Sequence, residues 1–161
     1  MLSSGERCVR SMPETAPLAP ANLLPSYRQA ALEREELGVP ALPLTAAQTQ
    51  ALTALLEQPP ADEGGFLLHL LSERIPPGVD EAAYVKASWL SAIANGSSTS
   101  PLVRPLEAVN LLATMIGGYN VGALIELLSS PDPAIAAEAA AGLSRTPVSY
   151  THLTLPTICS V

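Results

Sequence analysis

Few side chains in this sequence are able to do chemistry. The thiols are Cys8 and Cys159 and the imidazoles are His69 and His152. A thiolate nucleophile or a metal site needs partners at hydrogen-bond or ligand spacing. The cysteines stand at opposite ends of the chain, and His69, in "FLLHLL", has no second His or Cys at ligand spacing. His69 therefore reads as a structural or partly exposed histidine. The carboxylates Asp62, Glu63, Asp80 and Glu81 resemble an acid–base constellation only by count. Each pair opens an apolar periodic run, where capping and interaction with the helix dipole account for it. Gly117-Gly118 lacks the Lys-Ser/Thr of a phosphate loop and reads as the stop of the helix before it. Tyr84, Lys86 and Trp89 form a candidate recognition patch, although aromatics on an amphipathic helix usually pack. No catalytic, cofactor-binding or metal-ligating residue is expected within the chain.

The elements that carry these residues are helices. "SYRQAALEREELG" opens with Ser26 and Gln29 at capping-box spacing and stops at Gly38 and Pro40. "TAAQTQALTALLEQPP" repeats that grammar with Thr45 and Gln48. Leu52, Leu55 and Leu56 form its stripe, and Pro59-Pro60 ends it. "DEGGFLLHLLSERIPP" is expected to be capped by Asp62 and to bury Phe66, Leu67, Leu70 and Leu71. "GVDEAAYVKASWLSAIANG" is expected to start at Asp80 and close at Asn95-Gly96. Its Ala83, Ala87 and Ala94 allow close approach, while Tyr84, Trp89 and Ile93 supply bulk. Pro105 suits a first helical position, and "SSPDP" separates a leucine-rich helix from an alanine-rich one.

Composition agrees. Hydrophobic residues make up 48% of the 161 residues but aromatics only 4%, so the core must come from Leu, Ala, Val and Ile. The expected class is all-α, a HEAT-like α-solenoid or irregular helical bundle of six or seven short helices. The formal charge of −7, with eight Lys and Arg, opposes general binding to phosphate backbones. The apolar runs are too short to cross a bilayer, and the first residues lack the apolar centre of a secretory signal. A reducing, cytoplasmic setting is the expectation.

Two stretches are specific beyond capped helices. "PPGVDEAAYVKA" at Pro76 to Ala87 and "GGYN" at Gly117 to Asn120, within "EQPPADEGGFLLHLLSERIPPGVDEAAYVKASWLSAIANG" and "LLATMIGGYNVGALIELL", resemble the N-terminal HEAT-like domain of the bacterial aconitase B family. The resemblance implies residues 24–146 as that domain, with residues 1–23 a disordered or mis-started extension. It also implies a parent enzyme that interconverts citrate and isocitrate through cis-aconitate, with a [4Fe–4S] cluster held by three cysteines elsewhere in the longer chain. It places none of the family's catalytic residues here. The partners it implies are the catalytic domains of the same chain and a homodimer partner. Messenger RNA, which iron-depleted members bind, is not favoured by this acidic stretch. A free-standing helical-repeat adaptor with no enzymatic activity is the alternative.

Residues 147–161 depart from this grammar. The DNA GTC TCT TAT ACA CAT CTG ACG CTG CCG ACG encodes Val148 to Thr157 in order and is that of a sequencing adapter, so this tail is expected to be an artefact.

Overall fold

The computed structural model describes residues 19–145 except Val79 and Gly117. The tail reading at 147–161, with Cys8, Cys159 and His152, lies outside the described residues. Within them the chain is all-α, with seven helices: α1 (Pro20–Glu36), α2 (Ala46–Glu57), α3 (Gly64–Glu73), α4 (Glu81–Ala94), α5 (Pro105–Ala113), α6 (Tyr119–Leu127) and α7 (Pro133–Arg145).

Several boundaries follow local chemistry. At α2 the Thr45 N–H donates to Gln48 Oε1 at 2.9 Å, and Gln48 N–H returns to Thr45 Oγ1 at 3.3 Å. The two bonds satisfy two otherwise orphaned donors. α1 ends in a Schellman turn: Gly38 N–H bonds Glu35 O, Val39 N–H bonds Arg34 O, and Gly38 takes φ +68°. Pro105 begins α5, and Glu107 Oε2 accepts the Arg104 N–H at 3.0 Å. α4 stops where expected, before Asn95 and a left-handed Gly96.

Three expected starts or stops are corrected. Ser26 does not begin α1; the helix begins at Pro20, with Pro25 inside it. Ser26 Oγ bonds back to Leu23 O at 3.1 Å, and Gln29 bonds Glu33, not the cap. Order therefore reaches into the segment set aside as an extension, and Leu23 there is wholly buried. Asp62 is not the cap of α3. It adopts a left-handed φ of +64°, a conformation Asp tolerates, and Glu63 takes the cap position. α5 ends at Ala113, not at Gly117-Gly118, and Gly118 instead precedes α6 as its N-cap, with φ +93°.

Packing joins both sequence neighbours and helices two apart. α2 packs on α4, α4 on α6 and α5 on α7, while sequence neighbours also meet. α4 lies at the centre, burying Ala83, Ala87, Leu90, Ile93 and Ala94 together. Leu52, Leu56, Leu67, Leu70, Leu71, Leu112 and Leu124 complete a core of aliphatic side chains. Each such leucine contributes roughly 1.5–3 kcal/mol relative to exposure.

Candidate functional site

The residues singled out from sequence do not converge. Trp89 turns inward and its indole N–H donates to Glu57 Oε1 at 3.1 Å, tying α4 to the end of α2. Lys86 is buried too, at 5% exposure. Burial pushes its ammonium below the ordinary lysine range, opposed by the nearby negative charge of Glu73. Tyr84 alone of the three faces outward. The expected patch of Tyr84, Lys86 and Trp89 is thus divided between surface and core.

The outward aromatic partner of Tyr84 is Tyr119, at the start of α6. Their rings meet edge to face, with centroids 5.5 Å apart and planes at 73°. Ile116 is also exposed, and its N–H bonds Pro77 O at 3.0 Å, joining the α5–α6 connection to the α3–α4 connection. No spacing in the sequence announces this pair, because its members are brought together only by the packing of α4 on α6.

The carboxylates separate as well. Asp80 precedes α4 and Glu81 occupies its first turn, a helix-start arrangement, although the Asp80 side chain makes no capping bond. Glu63 accepts both Arg28 guanidinium nitrogens, at 2.9 and 2.6 Å. The same Arg28 stands 4.6 Å from the centroid of Phe66, which is half-buried where full burial is expected. His69 is exposed on α3 and shares with Arg28, Phe66 and Arg74 the lining of a groove of about 360 Å3. Other clefts are of similar size, one between α3 and α5, one where α4, α6 and α7 meet, and one beside Ile75, Pro76 and Pro77.

Among the described residues no three His, Cys, Asp or Glu side chains come together so as to hold a metal ion. Neither cysteine lies among them, so this part of the chain offers no thiolate to an iron–sulfur cluster and does not fit one. Nor is any helix of the described residues long and apolar enough to cross a membrane. What the surface does offer is apolar area: Leu32, Leu37, Leu42, Ile116 and Ile125 are each more than half exposed.

Comparison with known families gives a match to the aconitate B N-terminal domain over residues 26–154. The chain belongs to that family. The match passes Thr146 and enters the segment read above as adapter. Aconitate hydratase B of Synechocystis is 56% identical to this member over 124 residues, covering 77% of this chain and 14% of the relative. The Escherichia coli enzyme is 52% identical over 124 residues with the same coverage. The Helicobacter pylori enzyme is 42% identical over 129 residues, or 80% of this chain and 15% of the relative. The chain thus spans about one seventh of the length of these relatives.

Proposed function

We propose that this chain is the docking and architectural N-terminal domain of an aconitate hydratase B. One observation carries the reading: 52–56% identity runs through 124 residues yet reaches only 14% of relatives that bear the enzyme's name. In this reading the longer parent is a cytoplasmic lyase that interconverts citrate and isocitrate through cis-aconitate and hydrates 2-methyl-cis-aconitate. Its [4Fe–4S] cluster and catalytic residues belong to other domains. The present helices contribute a HEAT-like surface against which those domains, or a second subunit, pack. The exposed leucines and isoleucines support that role, since they offer apolar area to an interface. RNA binding is not assigned to this domain, because its charge of −7 repels phosphate.

The test is reconstitution. An Escherichia coli aconitate hydratase B lacking its matching N-terminal segment would be mixed with the purified chain, followed by size-exclusion chromatography and an aconitase assay. Co-elution, with activity or subunit association brought towards that of the intact enzyme, is the expected result. If the two polypeptides run separately at every concentration tried, the docking role fails and a free-standing adaptor takes its place.

A further inference from the structure

Asn95 is the one asparagine of the chain that a glycine follows; Asn22 and Asn110 precede leucines and Asn120 precedes a valine. The dipeptide stands at the C-terminal end of α4, and both of its residues are exposed. Water and hydroxide therefore reach the amide, and Gly96 carries no side chain to shield its own nitrogen. The same turn holds that chemistry back. Asn95 sits at ψ −1°, which turns the Gly96 nitrogen away from the side-chain carbon Cγ. The Gly96 N–H donates to Ile93 O at 3.2 Å, and the Ser97 N–H donates to Asn95 Oδ1 at 3.0 Å. Ser98 closes the turn, its N–H bonding Ala92 O at 3.0 Å and its hydroxyl bonding Glu57 Oε1 at 2.6 Å. Nucleophile and electrophile are thus neighbours in sequence, exposed to solvent and held apart by these bonds at a helix end, where opening costs least.

We propose that Asn95–Gly96 is a spontaneous modification site, a succinimide-forming pair whose conversion is gated by opening of this turn. When the turn frays, rotation about the Asn95 Cα–C bond brings the Gly96 nitrogen to Cγ. Hydroxide removes the Gly96 amide proton and the N–Cγ bond forms. The Cγ–Nδ2 bond then breaks, and that nitrogen takes a proton from water and leaves as ammonia. A second water opens the imide ring. Cleavage of the new N–Cγ bond yields aspartate; cleavage of the original peptide bond yields isoaspartate, whose main chain runs through Cγ. Nothing is oxidised or reduced. Isoaspartate lengthens the backbone by one carbon and removes the side-chain oxygen that holds the Ser97 N–H. Ser98 then loses its fixed place between Ala92 and Glu57. Either product brings a carboxylate into the cleft that Asn95 lines together with Glu126 and Asp132, adding like charge there. The inference rests on the α4 terminus alone and does not depend on the parent enzyme's activity.

The experiment uses the full chain, held at mildly alkaline pH and sampled over days. Peptide mapping by mass spectrometry reads the amide-to-acid mass gain at each asparagine, and methyl transfer by an isoaspartyl methyltransferase reads the isoaspartate. Conversion is expected at Asn95 well ahead of Asn22, Asn110 and Asn120, with both aspartate and isoaspartate formed. Asn95→Gln should abolish the methyl-acceptor signal. Ser98→Ala removes the hydroxyl bond to Glu57 and should speed conversion about tenfold, the change in opening that one hydrogen bond to a charged group is worth. Far-UV circular dichroism checks that both variants keep their helix content. Conversion at Asn95 no faster than at the other asparagines overturns the proposal. Aspartate formed without isoaspartate means direct hydrolysis and overturns the imide route. A Ser98→Ala rate equal to that of the wild-type chain overturns the gate.

Discussion

Gly142 on α7 lies so close to Ala113 on α5 that a Cβ on the glycine would stand 2.8 Å from the alanine Cβ. The obstacle is the root of a side chain and cannot rotate away. A Gly142→Ala change gains about 1 kcal/mol of helix propensity. It must also force the two helices apart, at about 1–3 kcal/mol for overpacking. A net loss of up to about 2 kcal/mol in urea unfolding is expected, and Ala113→Gly in the same chain should recover most of it. Stabilisation by the full helix-propensity gain of about 1 kcal/mol in Gly142→Ala would mean that α5 and α7 are not in such intimate contact.

Glu57 binds two groups from further along the chain. Its Oε1 accepts the Trp89 indole N–H at 3.1 Å and the Ser98 hydroxyl at 2.6 Å. Glu57→Ala leaves the indole N–H of a buried tryptophan without an acceptor, and about 1–3 kcal/mol of stability should go with it. Glu57→Gln keeps a carbonyl oxygen there and should cost less. Trp89 is the chain's single tryptophan, so its emission reports the change directly; an unaltered spectrum and midpoint in Glu57→Ala would contradict the contact.

Lys86 makes stability depend on pH. Burial holds its pKa below the ordinary 10.5, so between the folded-state value and 10.5 the unfolded chain binds more protons than the folded one. The contribution of this group to stability therefore rises with pH across that window and is lost as pH falls through the folded-state pKa. Lys86→Met removes the buried charge and should raise stability near neutrality by on the order of 1 kcal/mol. The advantage should vanish once pH exceeds 10.5, where the wild-type ammonium has discharged in both states. Paired urea titrations of the two proteins across that range measure it, and a constant difference at every pH would refute the assignment.

Asn120 ties the beginning of α6 to the end of α5. Its wholly buried Nδ2 donates to Leu112 O at 2.8 Å and Met115 O at 3.1 Å. Asn120→Asp removes that donor and faces a carboxylate towards two carbonyl oxygens. A loss of about 2–3 kcal/mol is expected, more than at any exposed asparagine. Equal midpoints for Asn120→Asp and Asn110→Asp, the latter exposed, would show that the bonds carry no weight.

Much of the helical grammar is legible in the sequence because capping chemistry is local. Thr45 with Gln48, Gly38, Gly96 and Pro105 all act within a few residues of themselves, and their spacing states their role. Ser26 misleads because Pro25 beside it looks like a boundary, whereas the backbone tolerates that proline soon after Pro20 opens the helix. Asp62 misleads because a carboxylate beside a helix start has other uses for its backbone, here a left-handed turn. Gly118 serves the helix after it, a choice that depends on how the α5–α6 connection crosses the stack.

The surface is less legible for a different reason. Arg28 and Glu63 are 35 residues apart, and Tyr84 meets Tyr119 only because α4 and α6 stack. The groove lined by α1 and α3 joins residues of two helices that each pack on α2. Such relations are set by packing, and no periodicity encodes them. The family resemblance in "PPGVDEAAYVKA" and "GGYN" reaches the identity of the domain by another route, and the match over residues 26–154 agrees with it.

The most direct measurement of the central claim is to sequence the genomic locus through the Thr146 codon. The account predicts a reading frame that leaves "VSYTHLTLPT" behind and continues into further helix, a linker and catalytic domains bearing three cluster cysteines. A genome that encodes "PVSYTHLTLPTICSV" followed by a stop would contradict it, and the chain would then stand as a helical-repeat adaptor.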